Sequence, residues 1–456
     1  MESGTTMDHG DRPVFDARSV VFDAAFDEKA DPDLRAFRHA YRWVIDQVEK
    51  NGLVTTSTGV GPVPYPIAPA VAVLDPVAEP EIQRRVLSVV SALHRILQGY
   101  SEDAGLREYL QIPEHLARWV DRDLERGPAR VDLCRFDLVG ASLGSLRVLE
   151  FNCNCPGGLL YSGMVDTYWR AAPGMDAVIS AWGAPPSRIE HETWFADWLL
   201  GLGRRNGGGR EPADVTLFRP DHGNQLELEQ MAAQLSRLGV TAKVCDATRY
   251  GAGHGPGVGY LKHSVPVDAD PSAWTEFCEA VVTGRLTIPS GLAGRWIADN
   301  KLCLAVMSDP RFDSLFKPEE RQAINALVPF SRRFGDGISK TEVLASRGEL
   351  VAKRAYGTQG RYVVVGREVT AERWQDLIRN EAGGDWLFQE YVPTGSVGSS
   401  TGERYRDLSP CVVDGEIWGY ASRISGNALM NVAQGGARQP VFTVVQAEDT
   451  GAGGES

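Results

Sequence analysis

The sequence predicts a protein of mixed α/β and α+β class. Three observations carry that reading: a helical pattern between Asp33 and Arg126, a strand, helix and strand pattern near the middle, and a strand-dominated final third. At 456 residues the chain exceeds one ordinary core, so two or three packed units are expected.

The composition, 43% hydrophobic and 23% charged, is that of a globular protein. Asp plus Glu (60) exceed Lys plus Arg (47), and the resulting net charge of −13 opposes binding to a phosphate backbone. Nucleic acid is therefore not an expected partner. No apolar run reaches the roughly 20 residues of a membrane helix, and the opening MESGTTMDHGDRP lacks the pattern of a secretory signal, so a cytoplasmic location is expected. The seven cysteines sit mostly in apolar runs, as buried free thiols do, and the eight histidines are scattered without CxxC or HExxH. Any metal should be held by oxygen.

Along the chain, DLRAFRHAYRWVIDQVEK and EIQRRVLSVVSALHRILQGY repeat apolar residues at helical spacing, and GVGPVPYPIAP between them reads as a loop. Two strand-like runs follow, ARVDLCRFDLVG and SLRVLEFN, joined by a turn at Ser142 to Ser145. Alternation places Arg135 and Asp137 on one face of the first, and Glu150 and Asn152 on one face of the second. A Gly/Arg-rich linker, LGRRNGGGREPAD, precedes VTLFRPDHGNQLELEQMAAQLSRLGVTAKVCDA, a βαβ pattern of a parallel sheet. Beyond Asp299 come helices at NKLCLAVMSD and KPEERQAINALV, then ELVAKRAYGTQGRYVVVG, WLFQEYV and LSPCVVDGEIWGYASRIS.

Four segments carry side chains suited to chemistry. In ELVAKRAYGTQGRYVVVG, Lys353 precedes a turn with Gly357 and Gly360, whose backbone can approach phosphate oxygens while the lysine supplies a point charge. A plain hairpin with a solvated lysine has the same pattern. The strand end Gln389, Glu390, Tyr391 and Val392 offers backbone donors and acceptors beside an apolar wall, as an adenine ring needs. ASRISGNALMNVAQGG holds Arg423, Asn431 and paired glycines; an arginine binds carboxylate or phosphate bidentately. Asp137, Glu150 and Asn152 together offer hard oxygens that suit Mg²⁺, the alternative for a buried acid being an ion pair with Arg135 or Arg147.

Together these residues resemble the ATP-grasp carboxylate-amine ligases. R-x-D followed by E-x-N with a proline and glycine (Arg135, Asp137, Glu150, Asn152, Pro156, Gly157) is similar to that family's metal-binding end. Lys301 in DNKLCLAVM and Lys353 look like its two ATP-binding lysines, Gln389 to Val392 like its adenine hinge, and Arg423 with Asn431 like its late phosphate- and substrate-binding strand. The order departs from the ordinary one, because Glu150 and Asn152 precede Lys301. That order resembles the circularly permuted members, relatives of glutathionylspermidine synthetase, and the middle βαβ unit then looks like an inserted preATP-grasp domain.

The resemblance implies ATP and Mg²⁺ as cofactors, small-molecule carboxylate and amine substrates, and formation of an acyl phosphate that an amine attacks. Lys301 and Lys353 would hold the α- and β-phosphates, Gly357 to Gly360 would form a lid, and Gln389 to Val392 would bind adenine. Asp137, Glu150 and Asn152 would bind the metal, Arg423 and Arg135 would orient the phosphoryl group or substrate carboxylate, and Asn431 would add a metal or phosphate contact. The implied organisation is a lead-in over residues 1–30, a helical region with metal-binding strands over 31–185, the preATP-grasp-like unit over 186–298, the lysine-bearing half over 299–445 and a tail over 446–456. Homo-oligomerisation is compatible with the sequence. An ATP-binding regulatory or scaffold protein without catalysis remains a second class. An oxidoreductase built on the βαβ unit would need a Gly fingerprint where FRPDHGNQ has one glycine.

Overall fold

The computed structural model describes residues 9–22, 34–57, 61–219, 225–251, 256–358, 360, 362–399, 402–426, 432 and 435–445. The protein is a mixed α/β molecule whose long helices and several sheets follow the sequence pattern closely. Helices Arg35–Lys50, Ala78–Glu102, Ala104–Leu110 and Glu114–Leu124 form the expected helical region. Ala78–Glu102 buries Ile82, Val86, Val89, Leu93, Ile96 and Leu97, a continuous stripe at three- and four-residue spacing. Among the described residues, no helix is long and apolar enough to cross a membrane.

Two expectations are corrected. The segment read as a loop contains a strand, Gly61–Pro64, paired antiparallel with Val54–Ser57. Pro62 and Pro64 lack N–H groups, which a two-stranded ribbon tolerates because each strand has an unpaired edge. The Gly/Arg-rich linker begins inside helix Trp194–Asn206, whose apolar face of buried Trp194, Trp198, Leu199 and Leu202 runs into the start of the linker and whose last turn carries Arg204 and Arg205.

Three sheets matter for the site. A six-stranded antiparallel sheet runs in the order Ala437–Gln439, Glu416–Ser425, Gly402–Val413, Leu133–Val139, Arg147–Asn152, with Ser396–Ser399 paired to the Gly402 strand. Strands distant in sequence thus lie side by side, Cys411 opposite Arg135 and Asp407 opposite Val139. A five-stranded sheet holds Ser331–Phe334, Trp386–Glu390, Leu350–Arg354 and Val363–Val365 in that order, with Gly337–Ile338 at its edge. The middle unit is a parallel sheet, Leu286–Thr287, Gly257–Leu261, Asp214–Phe218, Lys243–Cys245, and helix Gln225–Arg237 connects its last two neighbours.

Helix Leu159–Ala171 packs across the six-stranded sheet and against the turn Arg188–Glu190. The approach is close enough to require glycine, since a Cβ on Gly163 would lie 1.8 Å from the carbonyl oxygen of Ile189. Gly163→Ala should therefore force the turn away and cost about 2 kcal/mol or more. Denaturant unfolding checks this, and an unchanged midpoint would contradict it.

Candidate functional site

The Leu133 and Arg147 strands pair with Asp137 opposite Glu150 and Arg135 opposite Asn152. Residues directly opposite in an antiparallel pair point to the same side, so four polar side chains share one face. The alternate residues turn to the core, where Phe136 and Phe151 meet edge to face at 5.1 Å.

Asp137 is the centre of this face. Arg135 Nε donates to its Oδ1 at 2.9 Å, Arg423 Nη2 to its Oδ2 at 2.9 Å, and Ser409 Oγ to Oδ1 at 3.3 Å. Arg423 is held in turn by Asp407, which accepts from Arg423 N at 2.5 Å and from its Nε at 2.7 Å. Burial works against a charge on Asp137, but Arg135 and then Arg423 outweigh it and hold the carboxyl far below the ordinary range. Burial also opposes the charge on Arg423, and Asp407 and Asp137 reverse it, keeping that guanidinium firmly protonated.

The lysines approach from the five-stranded sheet. Lys353 Nζ donates to Gln389 Oε1 at 2.6 Å and to the carbonyl of Leu149 at 2.9 Å, which joins it to the Arg147 strand. Gln389 passes the bond on through Nε2 to Ser331 Oγ at 3.2 Å. Lys301, just before helix Leu302–Ser308, donates to the carbonyl of Gly357 at 2.8 Å and lies 3.3 Å from Glu150 Oε2. Desolvation is the main reason that the Lys353 ammonium is pushed down to about 8; Glu150 offsets part of this and Lys301 adds to it. Glu150 is thus the hinge between the arginine cluster and the lysine pair.

Gly357 and Gln389 each accept a bond from one of these lysines. Gly357 N donates to Arg354 O at 3.0 Å, and Gly360 has φ +75°, a conformation that favours glycine. At the strand end, Glu390 N is bonded to Phe330 O at 2.8 Å and Tyr391 N to Glu349 O at 2.7 Å, so Val392 is the first residue beyond these engaged donors. Arg367 stacks on Tyr391, its guanidinium carbon 3.7 Å from the ring centroid. Asn431 lies outside the described residues.

The residues fit a divalent cation in part. Glu150 keeps 31% of its side chain exposed, and Asn152 uses its Nδ2 toward Arg135 O at 3.3 Å, which leaves its amide oxygen to coordinate. Asp137 already has both carboxylate oxygens bonded to guanidinium groups. Among the described residues, no group of three His, Cys, Asp or Glu side chains is arranged to hold a metal ion. A cation here would rest on Glu150, Asn152 and the ligand's own oxygens, as Mg²⁺ commonly does.

Several polar residues around the site escaped the sequence reading. Asp299 Oδ1 accepts from Cys153 N at 2.9 Å and Asn154 N at 3.0 Å; Arg295 Nε donates to Asn154 Oδ1 at 2.9 Å. Lys262, ion-paired with buried Glu227, donates to Pro156 O at 3.3 Å, and Glu227 accepts from Gly158 N at 3.2 Å. Arg135 Nη1 binds Gly157 O at 2.5 Å. The loop after Asn152 is therefore clamped by the middle unit as well as by the sheet. Cys153 turns to the core, its Sγ 3.3 Å from Cys134 Sγ, and burial raises that thiol well above its usual range. Asp407 and Ser409 had a usable signal, because DLSP alternates polar and apolar residues along a strand.

No described protein family matches the sequence, and no curated protein does. The structure is similar to that of a glutathione synthetase-like effector from Globodera pallida, with a TM-score of 0.51 at 12% identity, covering 91% of this chain and 98% of that one. A second likeness is to a Methylobacillus flagellatus protein provisionally described as a gamma-glutamylcysteine synthetase, with a TM-score of 0.37 at 12% identity, covering 74% of this chain and 82% of that one. The first shows a shared fold; the second score is too low to add to it.

Asp137→Ala leaves two partly buried arginines without their shared buried partner and should cost about 3 kcal/mol or more at neutral pH. Because the folded carboxyl is held below its unfolded value, this contribution is complete above roughly pH 4 and is lost as pH falls below it. Urea unfolding of both proteins from pH 7 to pH 3 checks this; equal stability at neutral pH would contradict it.

Proposed function

We propose that the protein is an ATP-dependent carboxylate-amine ligase of circularly permuted ATP-grasp type, which activates a carboxylate as an acyl phosphate and joins it to an amine with release of ADP. The observation that carries the reading is the convergence of Lys301 on Glu150 and of Lys353, itself bonded to Gln389, on the neighbouring carbonyl of Leu149, from segments about 150 to 240 residues apart in sequence. Two buried lysines beside a partly exposed acid and a partly buried arginine make a site suited to a polyphosphate. Phosphoryl transfer asks mainly for charge neutralisation and positioning. The fold shared with a glutathione synthetase-like effector agrees with this reading.

In this reading Lys301 and Lys353 hold the α- and β-phosphates, and the turn from Gly357 to Gly360 lies over them and limits water. Val392 and the edge of Gln389 to Tyr391 receive adenine. Glu150 and Asn152 would hold Mg²⁺, which neutralises phosphate charge when bound; Asp137 is assigned to its perimeter, where it aligns Arg135 and Arg423. Those arginines orient the phosphoryl group or the substrate carboxylate, and Asn431 is assigned a further phosphate or metal contact. The substrates proposed are an amino acid, a peptide or a specialised metabolite with a small amine. The middle unit, about residues 186–298, is assigned the preATP-grasp role. Binding of ATP without catalysis, in a regulatory or scaffold protein, is the alternative, and Asp137 closed off by two arginines favours it.

An ADP-release screen of paired amino acids and amines, with mass spectrometry of the products, separates the two. Glu150→Ala and Lys353→Met should each abolish ATP turnover with an unchanged circular dichroism spectrum, while Cys153→Ser and Cys155→Ser keep it; full activity in Glu150→Ala or Lys353→Met removes the assignment. Lys353 also predicts a proton linkage. With the ammonium pushed down to about 8, part of it is neutral near that pH, and a bound polyphosphate should raise it again. ATP binding near pH 8 should therefore take up a proton and weaken as pH rises further. Calorimetry in buffers of different ionisation enthalpy reads this directly, and Lys353→Met should lose it.

A further inference from the structure

We propose that a second cavity, between the Arg188–Glu190 turn, helix Trp194–Asn206 and the start of the Glu416 strand, binds an organic cation with an apolar body, such as an alkylated ammonium compound. The cavity measures about 570 Å³, the size of a small-ligand site. Trp418 and Arg423 share one strand on the order of 15 Å apart at the usual rise per residue, so this cavity is distinct from the lysine and arginine cluster. The inference does not depend on the ATP reading.

Two indoles dominate the lining. Trp194 and Trp418 pack edge to face with ring centroids 6.0 Å apart, and Pro186 adds to the apolar wall. Indole faces attract cations through their quadrupole. The cavity already shows that chemistry, because the Arg188 guanidinium carbon lies 5.3 Å from the Trp418 centroid. Arg188 is 60% exposed and its ion-pair partner is the equally open Glu416, so a ligand can displace it at little cost.

Charge decides the sign of the ligand. Arg170 and Glu190 neutralise each other at 2.5 Å, and the remaining Arg170 donors go to the carbonyls of Ala184 and Pro185. Arg188 is balanced by Glu416. Asp197, exposed at the rim, accepts from Thr193 Oγ1 through Oδ2 at 2.7 Å and has no ion pair among the described residues. His191 Nδ1 lies 3.3 Å from the same hydroxyl. With Arg170 answered by Glu190 and Arg188 by Glu416, Asp197 is the charged lining group without an ion pair among the described residues. An anion would have to compete with Glu190 for Arg170 or with Glu416 for Arg188, whereas a cation meets Asp197 without a competing ion pair and replaces Arg188 over the Trp418 face.

Calorimetric titration with benzyltrimethylammonium tests this, with benzyl alcohol and benzoate as the neutral and anionic counterparts. The cation should bind at least tenfold more tightly than the alcohol, and benzoate should not bind. Asp197→Asn keeps the acceptor for Thr193 and should weaken the cation about tenfold. Arg188→Ala, which frees the Trp418 face, should tighten it. Both sites are exposed, and matched thermal unfolding establishes that the variants fold. Binding of benzoate or benzyl alcohol as tight as that of the cation, no cation binding at millimolar concentration, or an unchanged affinity in Asp197→Asn overturns the proposal.

Discussion

The organisation of the site depends on one buried carboxylate. Asp137 is gripped by Arg135 from its own strand and by Arg423 from a strand nearly 290 residues later, with Ser409 between them. Two partly buried arginines facing buried Asp137 need their charges answered, and Asp137 with Asp407 answers both. The grip also fixes which strands can be neighbours: the Leu133 strand must lie beside the Gly402 strand in the register that sets Arg135 opposite Cys411. Sheet pairing and charge pairing are thus two descriptions of one constraint.

Around this ion cluster the site grades outward from closed to open. Asp137 and Arg423 are fully engaged; Glu150, the cross-strand neighbour of Asp137, is about a third exposed and only loosely paired with Lys301. Lys353 is buried on neutral acceptors, an expensive setting for an ammonium and the reason that its proton is weakly held. A site with two closely set lysines and one accessible acid carries local positive potential inside a protein whose net charge is −13. On the proposed reading, that contrast would favour a compact anion. The loop after Asn152, held by Asp299, Lys262 and Glu227, ties the middle unit to the same place.

Much of this was readable in sequence because alternation and helical spacing are local. The face shared by Arg135 and Asp137 and the face shared by Glu150 and Asn152 follow from period-two arithmetic, and the turn after Lys353 follows from its glycines. What local patterns cannot give is which strands meet. Nothing in RDLSPC says that Asp407 will stand beside Arg423, and although the shared face offers Arg135 as a partner for Asp137, nothing near it says that Arg423 will take the other oxygen. The Val54–Pro64 ribbon was hidden for a different reason, since prolines that forbid a central strand are harmless at an edge. Lys262 and Glu227, an isolated lysine and acid in sequence, become informative only once burial pairs them.

The central claim is that Lys301, Lys353 and Gln389 form a nucleotide site with the Arg147 strand. Hydrogen exchange measured with and without a non-hydrolysable ATP analogue and Mg²⁺ tests it most directly. Exchange should slow in Leu350–Tyr362, Trp386–Val392 and Arg147–Asn152 together. Protection confined to the parallel sheet between Asp214 and Leu261, or no protection at saturating analogue, would contradict it.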